Sequence, residues 1–436
     1  MPDIQDFQLL KPISKGAFGK VYVARKKTTM DLYAIKVIRK SDMIKKNMVD
    51  AVLTEKFALS ILDNPYVVKL YYSFQNAKYL FLVMEFLVGG DLASLLYVLG
   101  SLDEGLAAFY AAEIALALEY LHGHNIIHRD LKPDNMLITS KGIAITFVIT
   151  VDLSDPYICL LPGHLKLTDF GLSRVNVREQ DIQPFSRNLK SLKEVFYCFF
   201  FQKSLKSLLV SPTTLTGVRE FLPRTGGPLY YLVSMSYSTV CDNSIDMEGN
   251  WHRCKPDECR GASARVTKIP GTPDYLAPEL LLGQAHGFEV DWWAFGVCVY
   301  EMIMGAPPFH GESVQKIFQR ILKGELDVPC LGEDCSFEAW DLIKGCLAYA
   351  PSKRYGIVKI KGHEWFAKND INWSTILKQN GPWVPNPVNT EDTSFFALRT
   401  DFDLMDVELL DDEKTDDELF GNFSHKGTHH FTSDLK

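Results

Sequence analysis

The chain has 436 residues, 47% hydrophobic and 23% charged, a globular composition with room for two or three domains or lobes. A net charge of −8 argues against a nucleic-acid footprint, and no clean apolar run approaches the about 20 residues that a membrane span needs. Nine scattered cysteines fit a reducing compartment, and the acidic start MPDIQDF lacks the apolar core of a signal peptide.

Residues 7 to 39 alternate as strands, with Phe7, Leu9 and Ile13 leading into Ser14-Lys15-Gly16-Ala17-Phe18-Gly19-Lys20-Val21. Glycines between alternating apolar residues let a hairpin approach something closely, whether phosphates or only its own turn. Lys36 interrupts the apolar strand Tyr33-Ala34-Ile35-Lys36-Val37, and a buried ammonium needs an anion. Helical spacing over 41 to 62 puts Ile44, Met48, Val52 and Leu59 on one stripe. Glu55 shares that inward face and is the obvious partner for Lys36; the other reading is a rim carboxylate paired with Lys56 or solvent.

Tyr66 to Glu85 supplies two more strands, and Met84-Glu85-Phe86-Leu87-Val88-Gly89-Gly90-Asp91 then breaks the pattern. The double glycine reads as a hinge whose exposed backbone groups meet an adenine edge, with Asp91 placed for a ribose hydroxyl or a basic substrate residue. Ser101 to His124 is helical and runs into His128-Arg129-Asp130-Leu131-Lys132-Pro133-Asp134-Asn135. Asp130 can accept a proton from a hydroxyl, Lys132 can neutralise a transferring phosphoryl group, and Asn135 offers a neutral oxygen to a metal ion. A second strand, Leu165-Lys166-Leu167-Thr168-Asp169-Phe170-Gly171, ends in a carboxylate. Asp169 and Asn135 make a hard-oxygen pair suited to Mg²⁺.

GAFGKV, AIK, HRDLKPDN, DFG and the APE of Ala277 to Glu279 resemble, in the required order, the signature set of protein kinases. Lys132 marks the serine/threonine type. GTPDYLAPE, the acidic tail and NTEDTSFF resemble the AGC group. Within it, ISKGAFGKVY, DLKPDNMLI, LTDFGLSRV and GTPDYLAPELLLGQAHG are most similar to the Greatwall (microtubule-associated serine/threonine kinase-like) family. The resemblance covers about 7–142, 164–178 and 264–424. It implies an α+β bilobal protein-kinase fold, with a small β-rich N-lobe carrying one helix (7–87), a larger, mainly helical C-lobe (88–366) and an AGC-type tail (367–436).

ATP and Mg²⁺ are the implied cofactors. By the same resemblance Lys36, paired with Glu55, holds phosphates, Asp130 is the base, Lys132 steadies the γ-phosphate, and Asn135 and Asp169 hold the metal. Thr272 contacts Asp130 and Lys132. Ile13, Ser14, Gly16, Ala17, Phe18, Gly19, Val21, Ala34, Met84, Glu85, Leu87, Asp91, Asp134 and Leu137 complete the nucleotide site. Asp291 is expected to accept the backbone amides of the HRD loop, and Glu279 to pair with Arg354. The implied partners are endosulfine-like protein substrates in mitotic entry and an upstream activating kinase. A monomer in cytoplasm and nucleus, without nucleic acid or membrane, is expected.

Two stretches depart from the family. Asn135 and Asp169 lie 34 positions apart, and the excess is the apolar, 21-residue Ile143–Gly163, where a hairpin tip should be polar. Glycine at both ends is compatible with an intron retained and translated in frame; the other reading is a lineage-specific loop. From Leu172 to Leu276 there are 105 residues, with an insertion over 179–263 that holds the apolar run 195–201. Lys268 stands where AGC kinases usually carry a phosphorylatable residue. Cys241, His252, Cys254 and Cys259 lack the spacing of a closed zinc module. In the tail, Phe420-Gly421-Asn422-Phe423-Ser424 resembles the hydrophobic motif that AGC tails clip onto the small lobe, against the reading of a solvated acidic tail. A catalytically impaired or pseudokinase-like scaffold, and an AGC kinase of microtubule-associated or large tumour-suppressor type, are the alternatives.

Overall fold

The computed structural model describes residues 2–16, 19–140, 161–175, 231–233, 266–268, 272–396, 417–421 and 423–427. Ala17, Phe18, 143–160, the run 195–201 and the Cys241–Cys259 group lie outside the described residues. Contacts divide the chain into two units, Met1–Arg174 with Thr225–Lys436, and Val175–Arg224; the sheet, helices and site below belong to the first.

Alternating apolar residues build an antiparallel sheet from β1 (Phe7–Lys15), β2 (Lys20–Lys26), β3 (Leu32–Arg39), β4 (Leu70–Gln75) and β5 (Tyr79–Glu85), in the order β1-β2-β3-β5-β4. The two-residue period sorts the side chains. Phe7, Tyr22, Ala24, Tyr33, Ile35, Val37, Phe81 and Val83 form one buried cluster, while Ile13, Val23 and Ala34 form another. Lys36, two positions from Ala34, falls on the Ala34 side. Its charge thereby points away from the aromatic core.

The expected single helix over 41–62 is two: α1 (Lys40–Lys46) and α2 (Val49–Ile61). Asn47 takes a left-handed conformation at φ 54° and ends α1, a position that asparagine tolerates better than most residues. Ile44 is consequently exposed rather than part of the buried stripe. In α2 the buried residues Ala51, Val52, Glu55, Ala58 and Leu59 recur at helical spacing.

The larger lobe is mainly helical. Asp91 caps α3 (Leu92–Leu99) and Asp103 caps α4 (Glu104–Gly123), each accepting an amide of the first turn. After β6 (Ile126–Ile127), the hairpin β7 (Met136–Ile138) and β8 (Leu165–Leu167) pairs Met136 with Leu167 and Ile138 with Leu165. Helices Glu289–Met304, Val314–Lys323 and Phe337–Cys346 follow. No helix among the described residues is long and apolar enough to cross a membrane.

The chain end returns to the small lobe. Phe420 and Phe423 are buried, the Phe423 carbonyl accepts from Ser73 Oγ at 2.6 Å, and the Phe420 carbonyl accepts from Gln75 Nε2 at 2.8 Å. His425–Lys426 then pairs antiparallel with β4 and becomes the sixth strand of the sheet. Lys40 lies 5.6 Å from the Phe420 ring centroid.

Candidate active site

Lys36 Nζ stands 2.6 Å from Glu55 Oε1 and 3.0 Å from Asp169 Oδ1. β3, α2 and the end of β8 each supply one of the three. Burial opposes the ammonium charge, yet Asp169 and Glu55 override it and raise the Lys36 pKa. One ammonium shared by two carboxylates cannot fully satisfy both. Burial pushes Glu55 up to about 7 despite the pull of Lys36. Asp169, held also by Lys132 and the Gly171 amide, stays below the usual carboxylate range in spite of its burial. Its φ of 61° is the left-handed value that turns the carboxylate out of the strand end.

A second group sits on the loop after β6. Lys132 Nζ lies 3.0 Å from Asp130 Oδ2 and donates to Thr272 Oγ1 at 2.7 Å, while Thr272 Oγ1 is 3.3 Å from Asp130 Oδ1. Against its burial, Asp130 and Asp134 raise the Lys132 pKa. Asn135 Nδ2 donates to the Asp130 carbonyl at 2.8 Å and to Asp130 Oδ2 at 3.1 Å. The Asn135 amide nitrogen is thus spent on the loop, and its side-chain oxygen is the end left to coordinate. An ionised Asp169 with a neutral amide oxygen is the hard, sparse donor set that Mg²⁺ accepts. Among the described residues there is no group of three or more His, Cys, Asp or Glu arranged to hold a metal by themselves.

The loop is fixed from beneath. Asp291, fully buried, accepts the amides of His128 at 2.9 Å and Arg129 at 2.8 Å, the loop groups that the resemblance implies, and also meets His122 Nε2 of α4 at 2.8 Å. These contacts hold its pKa below the usual range although burial pushes the other way. Arg129, at φ 63°, donates to the Leu172 and Ser173 carbonyls. Burial and the nearby Arg174 lower its pKa to about 10. Arg354 holds Glu279 through two hydrogen bonds of 2.7 and 3.0 Å.

The apolar side of the site gathers Ile13, Val23 and Ala34, with Val21, Leu137 and Phe86 against them. Met84 is registered opposite Ala34. Leu87 is buried, and the Glu85 side chain is bound by Lys166 at 2.7 and 2.8 Å. Gly16 and Gly19 pair by a backbone bond of 2.9 Å. A Cβ on Gly19 would lie 2.3 Å from the Val37 carbonyl, so approach to β3 already requires glycine there. Ser14 is half-buried on β1, and Asp134 is half-buried in the turn Pro133–Asn135.

One expectation is corrected. Gly89 and Gly90 are buried, not exposed: a Cβ on Gly90 would lie 2.2 Å from the Phe395 carbonyl, and one on Gly89 would lie 2.7 Å from Pro385 Cγ. They are the seat of the tail. Asp91 is 2% exposed and spends Oδ1 on the Ser94 amide at 2.8 Å, which makes it a helix cap first. The structure also adds a residue that sequence reasoning missed. Phe396 is buried in the Ile13–Val23–Ala34 cluster and stacks on Phe86 at 6.3 Å. The available signal was a pair of aromatic residues closing the otherwise polar stretch 389–396. A separate cleft, lined by Phe337, Asp341, Tyr355, Val358 and His363, shares no residue with this site.

Residues 7–191 and 256–366 match the protein kinase domain family. The chain is 39% identical over 400 residues to the probable serine/threonine protein kinase IRE of Arabidopsis thaliana, covering 91% of this chain and 28% of the relative. It is 38% identical over 410 residues to the probable serine/threonine protein kinase IREH1 of the same plant, with 93% and 26% covered. It is also 38% identical over 434 residues to the serine/threonine-protein kinase ppk18 of Schizosaccharomyces pombe, with 91% and 31% covered. The chain therefore spans about a third or less of the length of these curated relatives. An ammonium shared by two carboxylates, a carboxylate–lysine–threonine cluster and a match over more than half the sequence agree: the chain belongs to the protein kinase domain family.

Proposed function

We propose that the chain transfers the γ-phosphate of ATP to serine or threonine hydroxyls of protein substrates. The observation that carries the reading is the placement of Lys36 between Glu55 and Asp169, beside a separate Asp130–Lys132–Thr272 cluster. In kinases of this kind an ordered lysine–glutamate pair and a metal-binding aspartate must both be in place for transfer. Lys36 then binds phosphate oxygens, with Glu55 fixing its position. Asp130, within reach of a hydroxyl at the Thr272 position, orients the attacking oxygen and takes its proton. Lys132 offsets charge developing on the transferring group. Asn135 and Asp169 would hold Mg²⁺, which when bound would neutralise charge on the triphosphate. Ile13, Val21, Ala34, Met84, Leu137 and Phe396 form the apolar walls for the base.

The relatives' names support serine and threonine as acceptors. A Greatwall-type role, with endosulfine-like proteins as substrates and action in nucleus and cytoplasm at mitotic entry, is the finer reading. It is supported by the strings LTDFGLSRV and GTPDYLAPELLLGQAHG. The test is Mg·ATP-dependent phosphate transfer to an endosulfine-type protein, by the full chain and by one lacking 143–163. Transfer to another protein but not to this one removes the Greatwall assignment. Transfer by the shortened chain but not by the full one favours the alternative impaired by the 143–163 insertion, and absence of transfer by both favours a pseudokinase-like scaffold.

A further inference from the structure

The tail reaches the nucleotide pocket through a buried polar clip that the chemistry does not use. His164, at the start of the strand leading to Asp169, is fully buried, and so is Glu113 of α4. His164 Nδ1 lies 2.5 Å from Glu113 Oε1, and Glu113 Oε2 accepts the Leu165 amide at 2.8 Å. On the other side, His164 Nε2 lies 2.8 Å from the carbonyl of Gln379. A carbonyl only accepts, so Nε2 carries a proton and donates it to the tail. The remaining proton is shared between Nδ1 and Glu113, with no water needed to satisfy either group. Such a network is costly unless complete, and completing it here requires the tail.

The backbone beside the clip is fitted with equal closeness. Gly163, at φ 86°, would place a Cβ 2.5 Å from the Trp383 carbonyl, and a Cβ on Gly381 would lie 1.9 Å from the Gly163 carbonyl. The Gly381 amide donates to the Pro162 carbonyl at 2.8 Å. From this anchor the strap runs past Pro385, over Gly89, to Phe395 over Gly90, and delivers Phe396 to the Ile13–Val23–Ala34 cluster. Glu391 of the same strap pairs with Arg25 of β2, and its carbonyl accepts from Lys11 of β1.

We propose that His164, clamped between Glu113 and the Gln379 carbonyl, is a positioning residue that sets where the tail strap begins and thereby seats Phe396 in the nucleotide pocket. It touches no substrate and acts only through the strap. The inference rests on reading that pocket as the ATP site.

The test is titration of Mg²⁺ with a fluorescent N-methylanthraniloyl-ATP into the full chain and its variants His164→Leu, Gly381→Ala and Phe396→Ala. Losing one buried hydrogen-bonding group costs enough to weaken binding by about 5- to 10-fold if the strap is displaced. His164→Leu and Gly381→Ala are expected to show that loss. His164→Leu combined with Phe396→Ala is expected to be no weaker than the weaker single variant, because both act on one contact. A histidine that merely fills the core would lower the melting temperature and leave nucleotide affinity unchanged, and that result overturns the proposal. Additive losses in the double variant overturn it as well. Should His164→Leu not fold, Gly381→Ala decides alone, since it alters the strap without touching the buried pair. Failure of the unaltered chain to bind the probe sinks the nucleotide reading together with this one, whereas equal binding by all variants sinks this one only.

Discussion

At the scale of single residues, the site works by competition for protons and donors. Lys36 keeps its proton because two carboxylates face it, while burial raises Glu55 against the pull of Lys36. Replacing Arg354 with leucine leaves Glu279 buried without its guanidinium, with an expected loss of about 3–5 kcal/mol, readable as a lowered urea midpoint. Glu301 offers a pH test. It binds the Tyr275 hydroxyl, and burial, reinforced by Asp134 and Asp274, pushes its pKa from 4.5 up to about 7. Between those values the folded state holds a proton that the unfolded chain has released. Stability should therefore fall as pH rises through that window, by on the order of 2 kcal/mol. Glu301→Gln should flatten the slope in unfolding curves taken from pH 5 to 8; an unchanged slope would mean that other groups cause it.

At the scale of elements, strands were legible and their neighbours less so. β1 to β3 announce themselves by alternation, and Lys36 stands out as a charge in an apolar strand. The break at Asn47 was hidden because Ile44 keeps helical spacing while facing water. Left-handed backbone costs a β-branched residue about 1–2 kcal/mol, so Asn47→Val should destabilise by that much and Asn47→Gly should not, as measured by thermal unfolding. The buried Gly89–Gly90 seat was equally hidden, because what covers it lies some 300 positions later. A short-range pattern carries no record of such a partner. Composition alone does not say where Phe420 and Phe423 go; the resemblance of 420–424 to a tail motif implies the small lobe, and β4 is where they dock. Phe423→Ala should cost about 3–5 kcal/mol locally and speed hydrogen exchange along β4, where the tail strand pairs.

At the scale of the molecule, the tail makes the architecture non-local. Ser73 and Phe423, joined by a hydrogen bond, lie 350 positions apart, so pairing of the sixth strand with β4 is a long-range contact of the kind that slows folding. The same view bears on 143–163. His164 follows Gly163, whose left-handed backbone faces Trp383, and excision would put Gly142 in its place. Glycine is kept at the junction either way. The shortened chain should accordingly match the parent in melting temperature and in nucleotide affinity.

The central claim is that one gathered cluster moves phosphate to an aliphatic hydroxyl. Radiolabelled Mg·ATP, followed by phosphoamino-acid analysis of a protein acceptor, tests it most directly. The account predicts phosphoserine or phosphothreonine, with transfer reduced about 10²- to 10⁴-fold in Asp130→Ala while nucleotide still binds. Undiminished transfer by Asp130→Ala, or label found on tyrosine, would contradict it.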